Sequence, residues 1–303
     1  MKKAFKMILL IVKETYQGYI INHGVLLAAG LAFYTIFSLT PLLGIAVGVA
    51  GLIFSETVVT EKLMEETSRF VSPQVAQTLM TALENNHLAR QSVIATAFSA
   101  LIMLLAASFM FSSLKMSIDL MWGIAHPPNQ GLLHILRTQF LSFGMVLITG
   151  LLLLVFMVIS TLIISLNQWL VFLPIQAQDL LPRADFGLMF IGFGLIFAII
   201  FKILPDAEVH WSDIWLGAAV TAVAFTIGSF IIGFYLGNYA FSSSFGIASS
   251  LFIILLWIYY SMQIILLGAK FTQVYANHFG KRVRPRKKAV WVIQEWKAPE
   301  EHG

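Results

Sequence analysis

The chain has 303 residues, of which 58% are hydrophobic and 11% are charged, about half the charged fraction of a typical soluble domain. Its net charge is +4, and it contains no cysteine, which excludes disulfides, thiolate nucleophiles and Cys-based metal sites. Five stretches lack Asp, Glu, Lys and Arg altogether: 15–55, 91–114, 138–178, 186–201 and 214–269. Because a bilayer crossing needs roughly 20 mostly apolar residues, these stretches predict a membrane protein.

Residues 1–25 are predicted to form a cytoplasmic amphipathic helix. On a helical projection, the polar side chains occupy about one third of the circumference and the rest is apolar. These polar residues are Lys2, Lys3, Lys6, Lys13, Glu14 and Gln17. The alternative is a cytoplasmic extension of the first membrane span.

Residues 26–275 are predicted to be an all-α polytopic domain, a bundle of six transmembrane helices. The run 214–269 has room for two crossings around the polar break at 238–244. Helices are expected because lipid offers no partners for free backbone groups. The predicted spans are 26–54, 92–113, 139–165, 186–203, 214–236 and 247–270. The fourth span has only 16 uncharged residues, roughly 24 Å of helix, and its glycines favour a buried position.

The one sizeable external segment, 55–90, is predicted to be a short helical hairpin. Ser72 suits a helix N-cap, and Pro73 suits the first helical position. Two arrangements are open: a hairpin that lies on the membrane surface, or a lid over an outward-facing cavity.

Several polar residues within the spans are predicted to line one cavity. Three pairs, each spaced by four residues, share a helix face, and polar side chains are costly against lipid. Pro41 is expected to kink the first span, and Lys115 and Asp119 are placed at the cytoplasmic mouth. The alternative is three unrelated interhelical contacts. The pairs are Tyr34 with Ser38, Ser108 with Ser112, and Tyr259 with Gln263.

Small residues at 44–51 and 233–237 predict close helix–helix packing rather than a binding site. A search for catalytic patterns gives no metal-ligand spacing, phosphate loop or nucleophile elbow. Asp206, Glu208, His210 and Asp213 are interpreted as a loop followed by a helix cap at Ser212–Asp213, with a metal or acid–base site as the minor alternative. The chain is therefore expected to need no cofactor or metal and not to be an enzyme.

The distribution of Lys and Arg predicts the orientation. Fifteen of them fall on one side, in 1–25, 114–138, 202–213 and 270–303, and four on the other. By the positive-inside rule both termini are cytoplasmic. The segment 276–303 is predicted to be a basic cytoplasmic tail that contacts anionic lipid headgroups, with no nucleic-acid partner. The contact residues are Lys281, Arg282, Arg284, Arg286, Lys287 and Lys288.

Three stretches together resemble the YihY/virulence factor BrkB family of bacterial inner-membrane proteins. They are 29–43, from Ala29 through Tyr34 and Pro41; 204–217, with Leu204-Pro205, Trp211 and Gly217; and 245–269, from Phe245-Gly246 through Trp257 to Gly268-Ala269. The resemblance implies six helices, cytoplasmic termini and the bacterial inner membrane. In the family pattern an acidic residue often follows the last Gly-Ala, where this chain has Lys270.

The resemblance and the absence of catalytic patterns favour a transporter, permease or exporter of an unidentified, lipid-like or amphipathic solute. The alternative is a membrane scaffold or envelope-maintenance factor without transport. The family's older description as ribonuclease BN, a tRNA-processing enzyme, is the least favoured, since the chain lacks a phosphodiesterase metal cluster. The expected partners are membrane lipids and the solute, and a homo-oligomer is left open.

Overall fold

The computed structural model describes residues 2–50, 93–125, 180–238, 247–286 and 289–291, and individual residues within 60–81 and 144–159. Its helices are α1 (Lys2–Ile21), α2 (Gly24–Ala50), α3 (Val93–Met121), α4 (Leu180–Ile203), α5 (Trp211–Asn238) and α6 (Ile247–His278). Four strands of two residues each are β1 (Ile124–Ala125), β2 (Ala207–Glu208), β3 (Arg284–Pro285) and β4 (Val290–Trp291).

The first two helices are separate elements. A turn at Asn22 and His23 divides α1 from α2, and their axes are bent by 64°. His23 has a φ of 55°, a left-handed conformation that ends α1. Both arrangements considered for residues 1–25 stay predictions, and in the structure α1 packs along α6. Its buried stripe is Ile11, Thr15 and Tyr19, spaced by one helical turn.

The helices form a bundle in which α2 packs on α3 and α6, and α5 packs on α4 and α6. Its core is one cluster of buried side chains that extends from Tyr19 on α1 to Val283 before β3. Leu31, Leu114, Phe201 and Leu266 are among its fully buried side chains. Helix α4 has 24 residues and starts before the predicted span, so its length is about 36 Å rather than the short 24 Å.

Helices α5 and α6 approach closely through two reciprocal Gly–Thr contacts. A Cβ added at Gly217 would overlap Thr272, and one added at Gly268 would overlap Thr221. Each threonine hydroxyl donates to a carbonyl one turn earlier in its own helix, which removes the cost of burying it. Small residues thus let two backbones approach, as in other membrane helices. The side chains at 44–51 and 233–237, predicted for this role, lie outside the described residues.

The C-terminal segment departs from the simple tail that the sequence predicts. α6 continues to His278, eight residues beyond the predicted end of the last span. The chain then returns along the bundle, where β3 pairs with β2 between α4 and α5, and β4 pairs with β1 after α3. Val283 is buried. The strands β3 and β4 therefore tie the segment after α6 to two connections, the one between α4 and α5 and the one after α3.

Two of the described helical segments, Trp211–Ile232 and Phe252–His278, are long and apolar enough to cross a membrane. A third span results if the bent pair Phe5–Ile21 and Gly24–Ser38 counts as one, and Phe190–Ile203 is apolar but shorter. Most of the predicted span 139–165 and of the external hairpin 55–90 lies outside the described residues. The six-helix count therefore stays a prediction, whereas a helical membrane protein is supported.

Candidate functional site

A strip of polar side chains runs along α6 where α1 and the end of α3 meet it. Tyr259, Gln263, Lys270 and Gln273 recur at spacings that keep them near one face of the helix. The Tyr19 hydroxyl on α1 donates a hydrogen bond to the Gln263 side-chain oxygen. Gln263 is thus a partner of α1, a helix that the sequence did not place at the predicted cavity.

Lys270 lies two turns further along α6, half-buried under α1. Its ammonium donates to the backbone carbonyl of Met121 at 2.9 Å and to the Oε1 of Gln273 at 2.8 Å. Gly18 of α1 passes directly over the lysine side chain, and a Cβ at that position would overlap it. Both acceptors are neutral, so this buried ammonium has no carboxylate partner among the described residues.

The two acceptor groups belong to a network that caps the C-terminus of α3. The last carbonyls of a helix have no partners within it and carry partial negative charge. Here Asn22 donates to the carbonyls of Leu120 and Met121 at 3.0 and 2.8 Å, and Gln273 donates to that of Trp122. The Trp122 indole donates back to the carbonyl of Ala269 at 2.7 Å. Lys270 therefore also acts as a cation at a helix C-terminus.

A second lysine, Lys115 of α3, forms a buried ion cluster with two aspartates. Its ammonium is 2.9 Å from Asp119 Oδ2 and also contacts Asp206, which follows α4. Lys115 and Asp119 are each 4% exposed. The Asp206 amide donates to Asp119 Oδ1 at 2.8 Å, and the Asp206 carbonyl accepts from the Arg286 amide at 3.0 Å. The cluster thus connects α3, the α4–α5 connection and the C-terminal segment.

Asp119 lies beyond the predicted span 92–113, near the C-terminal end of α3. Burial raises the pKa of its carboxyl, whereas the charge and hydrogen bond of Lys115 and the amide of Asp206 oppose that rise. The spacing of Lys115 and Asp119 placed them on one polar stripe, and the structure brings them together. Asp206 was interpreted as part of a loop, and no sequence signal linked it to them.

The other residues predicted to line the cavity are placed on several surfaces. Tyr34 is half-exposed, whereas Ser38 is buried and donates to the carbonyls of Tyr34 and Thr35 in its own helix. Ser108 is buried and Ser112 half-buried on α3. Pro41 lies within the continuous helix α2, and its side chain is outside the described residues. A cavity shared by all of them stays a prediction.

The loop between α4 and α5 shows a different cap from the predicted one. α5 begins at Trp211, so Ser212 lies inside its first turn and the residue before the helix is His210. Asp213 accepts the backbone amide of Lys281 at 3.2 Å. In the part of the chain that the structure describes, no three His, Cys, Asp or Glu residues are grouped as metal ligands.

The basic residues after α6 are mostly exposed. Lys281, Arg282 and Arg284 are exposed, and Arg286 is half-buried. Lys287 and Lys288 lie outside the described residues. The exposed members are therefore available to headgroups, although β3 holds their backbone against the bundle.

The functional residues that sequence reasoning missed are Thr15, Tyr19, Asn22 and Gln273. Each contributes to the α1–α6 contact or to the α3 cap. Their one local signal is a polar residue on an otherwise apolar helix face, which is too common to identify a site. The sequence places Lys270 at the end of the sixth predicted span and at a departure from a family pattern, and neither observation predicts its partners.

Comparisons with known proteins agree on the membrane class. The family model for the virulence factor BrkB matches residues 15–291. A UPF0761 membrane protein from Pseudomonas aeruginosa is 26% identical over 251 residues, which is 80% of this chain and 57% of the relative. UPF0761 membrane proteins from Azoarcus sp. and Teredinibacter turnerae are 27% and 22% identical, over 81% and 83% of this chain and 58% and 56% of the relatives.

The chain spans little more than half the length of these curated relatives. No solved structure matches it significantly.

Proposed function

The chain belongs to the virulence factor BrkB family of membrane proteins, and we propose that it is a multi-pass transporter of an amphipathic, lipid-like solute. The observation that carries this proposal is the burial of ionisable and amide side chains within apolar helices and near their ends. Lys115, Asp119, Gln263 and Lys270 are all buried or half-buried there. Such groups are expensive within a membrane and commonly mark a substrate or ion pathway.

The proposed location is the bacterial inner membrane with both termini in the cytoplasm. The excess of Lys and Arg on one side supports this orientation. Trp211 and Trp215 are exposed at the start of α5, and the Lys202 ammonium lies 5.5 Å from the centre of a Trp211 ring. Aromatic and basic side chains at one level are typical of a membrane interface. They support contact of the nearby basic residues with lipid headgroups.

The orientation can be tested with single cysteines, because the natural chain has none. Variants Ser72→Cys and Ser243→Cys should react with an impermeant thiol reagent in intact cells. Arg282→Cys, an exposed position after α6, should react only after the membrane is permeabilised. Labelling of Arg282→Cys alone in intact cells would reverse the proposed topology.

Transport is tested by comparing lipids and metabolites in vesicles with and without the protein. We expect a solute whose distribution changes with the protein, and a loss of that change in Gln263→Leu, which breaks the bond from Tyr19. Gln17→Leu is the matched control, since Gln17 is an exposed amide on α1. Unchanged solute distributions combined with an altered envelope would instead favour the scaffold.

A further inference from the structure

The contact between α1 and α6 contains two polar groups with unused hydrogen-bonding capacity, the half-buried Lys270 and the buried Thr15. An ammonium has three N–H donors, and that of Lys270 has two acceptors among the described residues. The Thr15 hydroxyl, on the α1 face that packs against α6, is buried without any hydrogen-bond partner. A positive charge and a hydroxyl so placed can both bind an anion, since a buried polar group without partners is costly.

The outer surface of α1 indicates where such an anion comes from. Beside the buried stripe, α1 exposes the large apolar side chains Phe5, Ile8, Leu9, Val12 and Tyr16. The next sector of the same helix carries the exposed residues Lys6, Lys13 and Gln17. A helix with one face on protein, one apolar face and one basic face fits the interface of an anionic membrane leaflet.

The bend before α2 turns α1 away from the axis of α2. α1 meets α2 at 64° and is tied to α6 by polar contacts, Tyr19 to Gln263 and Glu14 to His278 at 2.7 Å. Gly18 lets α1 approach Lys270, so the lysine lies between the membrane-facing helix and the end of α3. The polar strip of α6 is thus separated from the lipid surface by one amphipathic helix.

We propose that the α1–α6 contact binds the anionic headgroup of an amphiphile from the cytoplasmic leaflet, with Lys270 as counter-ion and the Thr15 hydroxyl as a donor. The shared chemistry is a phosphate or carboxylate carried on an apolar chain. The headgroup would accept a hydrogen bond from the third N–H of Lys270, while the apolar chain of the amphiphile lies along the apolar face of α1. This inference deepens the proposed function. Only the transport of the bound amphiphile rests on that function, whereas its binding does not.

Native mass spectrometry of the full chain in an uncharged detergent can test the site, with dodecyl phosphate as the probe. We expect one bound probe per chain, and Lys270→Gln should weaken its binding at least tenfold. Lys270→Arg should retain binding because it keeps the charge. Lys281→Gln removes an exposed lysine just beyond the same helix, so it measures the attraction by surface charge alone. It should weaken probe binding much less than Lys270→Gln.

Two further probes separate the possible sources of the anion. Inorganic phosphate carries the charge without the chain, and dodecyl maltoside carries the chain without the charge; both should bind much more weakly than dodecyl phosphate. Equal binding of inorganic phosphate would overturn the amphiphile assignment. An equal loss of dodecyl phosphate binding in Lys281→Gln and Lys270→Gln would show that the probe is held by general charge attraction, and it would reject the site.

Thr15→Val keeps the test decisive if Lys270→Gln does not fold. This substitution preserves the shape of the side chain and removes the hydroxyl, and we expect several-fold weaker probe binding; an unchanged affinity would contradict the role of Thr15. Binding without any transport would leave the site standing and reject the transporter. Transport together with an unchanged probe affinity in Lys270→Gln would reject the site and leave the transporter standing.

Discussion

Two lysines near the C-terminal ends of the contacting helices α3 and α6 are stabilised by different kinds of partner. Lys115 is paired with Asp119 and Asp206 inside the bundle. Lys270 is surrounded by neutral acceptors at the end of α3 and is covered by α1. The first arrangement uses full opposite charges and leaves little for a ligand to add. The second uses the dipoles of a backbone carbonyl and a side-chain amide, and it leaves one ammonium N–H for an anion. The same residue type therefore serves structure in one place and binding in the other.

The largest effect is expected from Lys115→Met. This change leaves the buried Asp119 carboxylate without its ammonium, and breaking one partner of a buried pair typically costs about 3–5 kcal/mol. Thermal unfolding of the purified protein in detergent should show this loss. Lys281→Met, at an exposed position, should change stability by no more than about 0.5 kcal/mol.

The double variant Lys115→Met/Asp119→Leu sharpens this result. It removes the two most buried charges of the cluster and keeps the more exposed Asp206, and replacing a buried ion pair by apolar residues is often close to neutral. We therefore expect the double variant to be more stable than Lys115→Met alone in the same unfolding experiment. If the double variant were the less stable of the two, the carboxylate would not be the source of the cost.

A smaller effect is expected from Lys270→Met. The Met121 carbonyl keeps its bond from Asn22, so the change removes two hydrogen bonds without leaving a buried charge. On that basis the loss is about 1–2 kcal/mol. Chemical unfolding of the two single variants side by side gives the comparison, and equal losses for Lys115→Met and Lys270→Met would contradict the distinction between the two sites.

The smallest effect is expected from Asn22→Ala. Its amide donates to two carbonyls at the end of α3, one of which also accepts from Lys270. Losing such bonds at a partly exposed site costs about 1 kcal/mol. Hydrogen exchange at the end of α3 should accelerate, while exchange around Lys115 should be unchanged. Faster exchange around Lys115 as well would mean that the two sites are coupled.

The predicted positions of Lys115 and Asp119 show what sequence spacing can achieve. Residues four apart share a helix face, so their pairing follows from local geometry. Gln263 and Tyr259 were also placed on one polar strip, but their neighbour Tyr19 was not foreseen, because it belongs to a helix interpreted only as amphipathic. The strands at 284–291 were missed because two-residue pairings leave no periodic pattern in the sequence.

The sequence by itself determined that this is a helical membrane protein. Long uncharged apolar runs find no hydrogen-bond partners in lipid, so their backbone N–H and C=O groups must bond within the segment itself, as they do in a helix. It also carries the asymmetry of basic residues on which the proposed orientation rests. Only the tertiary structure decided the partners of the two lysines. Lys115 meets Asp206 across 91 positions of the chain, and Lys270 meets the Met121 carbonyl across 149. Such contacts depend on how the helices pack, and packing is a property of the whole fold rather than of any one segment.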